Sequence, residues 1–157
     1  MVNNLLTFNY IYHLIKTTLK IMSPVVKNIL AVIAGFIIGS LVNGGLVNIG
    51  MNILPPPEGM DVADAASWKS KSHLLEAKYF LFPFLAHALG SLVGAYTAAR
   101  IAATHKMKFA LAIGMITMLG GIAAIYLLGG PLWFKVVDLV LAYIPMAWIG
   151  GRLAGAK

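Results

Sequence analysis

At 157 residues the chain has room for one domain and none for a separate soluble catalytic module. Hydrophobic residues make up 60% of it, charged residues 11%, and mean hydropathy is +0.86, a balance outside the range of water-soluble domains. The net charge of +7 does not mark a nucleic-acid binder, because the cations flank apolar runs instead of forming a patch, and the lack of cysteine excludes disulfides, thiolate metal sites and cysteine nucleophiles.

Residues 1–21 differ from the remainder of the chain, being rich in Asn, Leu, Ile, Tyr, Thr and Lys with no Gly or Ala. No charge precedes the apolar residues and no small-residue cleavage site comes after them, so the segment is a poor signal peptide. It reads either as an interfacial helix with Lys16 and Lys20 towards lipid headgroups, or as an over-extended gene start with Met22 the true first residue.

Residues 22–157 hold four apolar runs, about 28–49, 79–103, 109–129 and 132–151. Each has the roughly 20 residues needed to cross a bilayer as a helix. The fold class expected is all-α, an integral membrane bundle of four transmembrane helices. Small residues recur every fourth position, at Ala31, Gly35 and Gly39 in the first run and at Ala86, Gly90, Gly94 and Ala98 in the second. That stripe lets two backbones approach closely where lipid removes the hydrophobic drive between helices. Gly35, Gly39, Ala86, Gly90, Gly94 and Ala98 are therefore the expected helix-packing residues.

The connections differ in kind. An outer loop, 55–78, opens on Pro55-Pro56-Pro57 and carries Glu58, Asp61 and Asp64. Acids favour the first turn of a helix, so a short surface helix is expected from an Asp61 cap to about Lys71, with Trp68 dipping into the interface. A tight basic turn joins the second and third runs, and Gly129-Gly130-Pro131 stops one helix and restarts the next. Pro83 and Pro145 are expected to kink the second and fourth helices. No internal repeat is evident.

With the N-terminus inside, eight of the 12 Lys and Arg residues fall on the cytoplasmic side, and all five acids fall on the outer half. Both termini are thus expected in the cytoplasm and the chain as a multi-pass protein of the cell's inner (plasma) membrane. Tyr79, Phe80, Trp133 and Phe134 suit the outer interface, Phe109 and Trp148 the inner one.

Polar groups inside a span are costly and are candidate sites. At 1.5 Å per residue, Asn43 and Asp138 lie about 9 Å below the outer boundary and His87 about 12 Å below it. Three helices thus bring polar side chains to one depth, with Tyr126 placed to cap them and Lys135 one turn before Asp138. A carboxylate and an imidazole there could share a proton. The alternatives are interhelical hydrogen-bond glue, or a local Asp138–Lys135 pair with the lysine snorkelling outwards. No phosphate loop, HExxH pair or GxSxG elbow occurs, and the four histidines lack ligand spacing, so no catalytic residue, metal site or cofactor is expected.

Three stretches, Pro55-Pro56-Pro57-Glu58-Gly59, the run from Phe82 to Gly90, and Tyr143-Ile144-Pro145-Met146-Ala147-Trp148, resemble the small, uncharacterised four-helix integral membrane proteins found widely in bacteria. The resemblance covers 27–155 and implies architecture alone. Small multidrug exporters are also four-helix proteins, but this chain lacks their intramembrane Glu on the first span. Two functional readings remain. One is a non-enzymatic structural or accessory subunit, partnered by the bilayer and by a larger membrane complex or further copies of itself, and favoured because no span carries a dense polar lining. The other is a small transporter or channel that handles a proton or cation through the outer-leaflet cluster.

Overall fold

The computed structural model describes residues 22–61 and 64–157, together with Thr17, and the expectations for the segment 1–21 otherwise lie outside the described residues. Among the described residues every regular element is helical. These include six α-helices: α1 (Pro24–Ile53), α2 (Ala65–Lys71), α3 (Leu81–Ile101), α4 (Lys106–Leu128), α5 (Leu132–Leu141) and α6 (Ile144–Leu153). Four stretches, Pro24–Ile53, Ala77–Ile101, Lys106–Leu128 and Leu132–Leu153, are long and apolar enough to cross a membrane.

The first helix starts earlier and ends later than the apolar run suggests. Ser23 caps its N-terminus, accepting from the Val26 N–H at 3.4 Å, and Pro24 occupies the first turn, where it needs no hydrogen bond. The helix runs on through Lys27 to Ile53 and stops before Pro55. Its 30 residues make a rod of about 45 Å, longer than the hydrocarbon core of roughly 30 Å.

α3 is the central element, packing against α1, α4 and α6. Its contact with α1 is backbone on backbone. A Cβ placed on Gly35 would come within 2.7 Å of the Gly94 carbonyl oxygen, and one on Gly39 within 2.7 Å of the Gly90 carbonyl oxygen. Ala86 and Ala98 are fully buried. On its other side α3 meets α6, where a Cβ on Gly150 would overlap the Leu92 carbonyl. The bundle is thus welded by small residues, while Leu, Ile and Val cover its outer surface.

Two hydrogen-bonded devices fix the ends. At one, the Asn28 side chain holds the α3–α4 turn: Oδ1 accepts from the Ala103 N–H at 2.8 Å, and Nδ2 donates to Thr104 Oγ1 at 2.9 Å. His105 takes a left-handed conformation (φ 46°) there to start α4. At the other, the Ser72 hydroxyl donates to the Leu128 carbonyl at 3.0 Å, a group the end of α4 leaves without a helical partner, and so ties the loop between α1 and α3 to the bundle. Gly129 and Gly130, with φ of 78° and 118°, make the turn from α4 into α5.

Three local expectations are corrected. Pro83 does not kink a helix: Ala77–Phe80 is a 3-10 turn and α3 begins at Leu81, so Pro83 lies in the first turn and its missing N–H costs nothing. Pro145 does more than kink: the fourth run divides into α5 and α6 at Ala142 and Tyr143, with Pro145 in the first turn of α6. The cap of α2 is Asp64, not Asp61; its carboxylate accepts from the Ala66 and Ser67 N–H groups at 2.9 and 3.1 Å.

Candidate functional site

The break between α5 and α6 builds the most polar point of the bundle interior. Asp138 is on α5, facing α3, and is completely buried. His87, eight residues beyond Tyr79 on α3, meets it: Nδ1 lies 2.9 Å from Oδ1 and 3.0 Å from Oδ2. Tyr143 completes the group, its hydroxyl donating to Asp138 Oδ2 at 2.7 Å. The imidazole and phenol rings are 5.5 Å apart between centroids.

Tyr143 is not a candidate from sequence. Five residues on an unbroken helix turn through about 140° relative to Asp138, which points the two side chains apart. The interruption at Ala142–Tyr143 removes that constraint and brings the phenol back over the carboxylate. Room for the ring comes from α4, where a Cβ on Gly121 would overlap the Tyr143 hydroxyl. The available signal is Pro145 two residues downstream, which marks the interruption.

The other candidates separate. Asn43 stands at the α1–α3 crossing, its Cβ 3.1 Å from where a Cβ on Gly90 would lie, and shares a cavity with His87 without a hydrogen bond to the pair. Tyr126 does not cap the cluster. It is 75% exposed, with the Lys69 ammonium 4.9 Å from its ring centroid, because it lies on a different face of α4 from Gly121. Lys135 does not pair with Asp138, whose oxygens are taken by His87 and Tyr143; it lines a surface crevice with Lys69 and Tyr126.

His87 borders two cavities. One is a cleft of about 360 Å³ between α1 and α4, floored by α3 and lined with Ser40, Asn43, Ser91, Thr117 and Tyr143. It exists because α1 packs closely on α3 but only sparsely on α4. Gly44 and Gly120 line it, and a Cβ on either would meet nothing within 4 Å. Ser91 and Thr117 form a hydroxyl pair at 2.9 Å. Thr117 has backbone carbonyl acceptors at Ile113 (3.0 Å) and Gly114 (3.1 Å), so its single proton goes there and Ser91 donates to it. Neither hydroxyl is a candidate from sequence, since single Ser and Thr residues in apolar runs carry no spacing signal.

The second cavity, about 230 Å³, lies on the α2 side of His87, under Trp68 of α2 and beside Phe80 and Phe134. His87 thus stands between a cleft of mixed polar and apolar lining and an aromatic crevice. His87 spends Nδ1 on Asp138 and has no protein hydrogen bond to its other ring nitrogen among the described residues. A proton on that imidazole therefore has a carboxylate behind it and open space beside it. Compared with protein-family models, curated proteins and solved structures, the chain matches none, so function rests on this geometry.

Proposed function

We propose that the chain is a four-span protein of the plasma membrane, both termini cytoplasmic, that acts as a small proton-linked transporter or channel. The observation that carries this reading is His87, bonded through Nδ1 to a fully buried carboxylate and bordering a cavity on either side. Neutral imidazole with ionised Asp138 leaves one net negative charge in the bundle, and one added proton cancels it. Burial of an uncompensated charge is expensive, so the pair couples proton gain and loss to what occupies the cavities. Tyr143 holds the carboxylate in place through either state.

Proteoliposomes containing the protein should dissipate an imposed pH gradient faster than empty vesicles, read with an entrapped pH dye. His87→Gln and Asp138→Asn should return the rate to that of empty vesicles. Gly120→Leu, at a cleft-lining position where a Cβ meets nothing within 4 Å, should slow it. Wild-type vesicles no leakier than empty ones, whether or not solute is added, would remove the reading.

Topology is tested separately. Alkaline phosphatase fused after Lys71 should be active and after Lys106 inactive, and the reverse pattern would invert the proposed orientation. A second reading, an accessory subunit, is favoured by Asn43, a partly buried amide on a cleft that opens between α1 and α4, where a neighbouring helix could hydrogen-bond it. Native mass spectrometry after gentle extraction separates the two: a larger partner bound in fixed ratio supports the subunit, and a monomer or homo-oligomer supports the transporter.

A further inference from the structure

We infer that the aromatic crevice is a binding site for a small lipophilic ammonium ion, taken up against Asp138 in exchange for a proton. The inference rests on reading the His87–Asp138 pair as proton-handling. It adds the class of the solute.

The crevice is walled by Met51, Trp68, Phe80 and Phe134, with His87 and Asp138 at its base. Apolar walls converging on a few polar groups are the ordinary make-up of a small-molecule site. Here the polar groups select charge. Asp138 is the only carboxylate inside the four apolar stretches, and no Lys or Arg among the described residues borders the crevice. An anion would meet the carboxylate, and a neutral solute would leave the proton where it is. A cation can replace the proton, and the aromatic lining, Trp68, Phe80 and Phe134, is of the kind that attracts one. Phe80 and Phe134 are buried and packed at 4.6 Å between centroids, so that wall is preformed.

Size narrows the class. At about 230 Å³ the crevice is below the range of about 300–1,000 Å³ usual for drug-sized ligands, which suits one ring or a short alkyl chain. Charge balances across the exchange. The protonated pair has no net charge. The ammonium enters with one positive charge, His87 gives one proton to water, and the carboxylate again faces one cation. Asp138 is covered by His87 and Tyr143, so the imidazole must swing aside for the ammonium to reach it. Beyond His87 and Asp138, the titratable group at this step is the Tyr143 phenol, which stays bonded to Asp138; α1 and α4 line the crevice with apolar residues, Gly129 follows at the end of α4, and α2 contributes Trp68. Lys69 lies over Tyr126, and Lys135 borders the separate surface crevice.

The test is calorimetric titration of the full chain in uncharged detergent micelles with benzylammonium, benzyl alcohol and benzoate. Benzylammonium should bind saturably and release about one proton per molecule, measured by repeating the titration in buffers of different ionisation enthalpy. Benzyl alcohol and benzoate should not saturate. Trp68→Leu should weaken the amine on the order of tenfold, and Asp138→Asn should abolish its binding while circular dichroism stays unchanged. Equal binding of amine and alcohol, which needs no variant, would overturn the inference, as would amine binding without proton release. Vesicles that pass protons while the protein ignores benzylammonium would remove this solute class and leave the proton reading intact.

Discussion

Gly94→Leu is expected to be among the most damaging single substitutions in the chain. A Cβ at that position lies 2.7 Å from the Gly35 carbonyl oxygen, 3.2 Å from Gly39 Cα and 3.2 Å from Ile113 Cγ2. Two of the three obstacles are backbone, so no rotamer change relieves them, and α1 must move off α3 along the crossing. Overpacking of a well-packed core costs about 1–3 kcal/mol and more where backbone must shift. A loss of about 3 kcal/mol or more is expected, read as a lower midpoint of thermal unfolding in detergent. Gly45→Leu is the matched control, because a Cβ there meets nothing within 4 Å; its effect should stay within about 0.5 kcal/mol. Leu92→Ala, at a half-buried side chain, should cost about 1 kcal/mol. Equal losses in all three would show that the glycine stripe is not the α1–α3 contact.

Asp138→Leu should have an effect of similar size. It removes the acceptor of the buried Tyr143 hydroxyl and the partner of His87 Nδ1. Removing one member of a buried, bonded pair costs about 3–5 kcal/mol, most of it the desolvation of the groups left behind. Asp138→Asn keeps the volume and one acceptor oxygen, so its loss should be about 1 kcal/mol. Gly121→Ala probes the same contact from α4, because the new methyl displaces the Tyr143 hydroxyl without altering either titratable group. A leucine variant as stable as the asparagine variant would mean that the three side chains are not mutually bonded.

The two sets of residues are legible in the sequence to different degrees, for physical reasons. The packing stripe can be read directly, since a four-residue repeat of Gly and Ala has one steric meaning on a helix, and the structure places Gly35, Gly39, Gly90 and Gly94 backbone to backbone. His87 and Asp138 can be set at one depth from helix rise alone, but rise carries no azimuth. Tyr126, three residues before Gly129, fits a cap over the group by the same rise, and it lies on the exposed side of α4. Lys135, at helical spacing from Asp138, suggests a local pair; the carboxylate instead turns inward to α3, where donors on other elements compete better than a lysine able to reach water. Tyr143 is hidden because its position depends on an interrupted helix, and a proline that merely kinks a helix has the same signature as one that restarts it. Asp61 and Asp64 both fit a cap by residue type, and only the observed backbone shows that the Asp64 carboxylate reaches the free N–H groups.

Whether His87 and Asp138 share a proton inside the bundle can be read by ¹⁵N solid-state NMR of histidine-labelled protein in lipid bilayers, with the His87 ring assigned by its loss in His87→Gln. A shared proton predicts an Nδ1 resonance in a short hydrogen bond to a carboxylate, and a large shift of that resonance in Asp138→Asn. An Nδ1 signal matching that of a water-exposed histidine, and unchanged by Asp138→Asn, would contradict it.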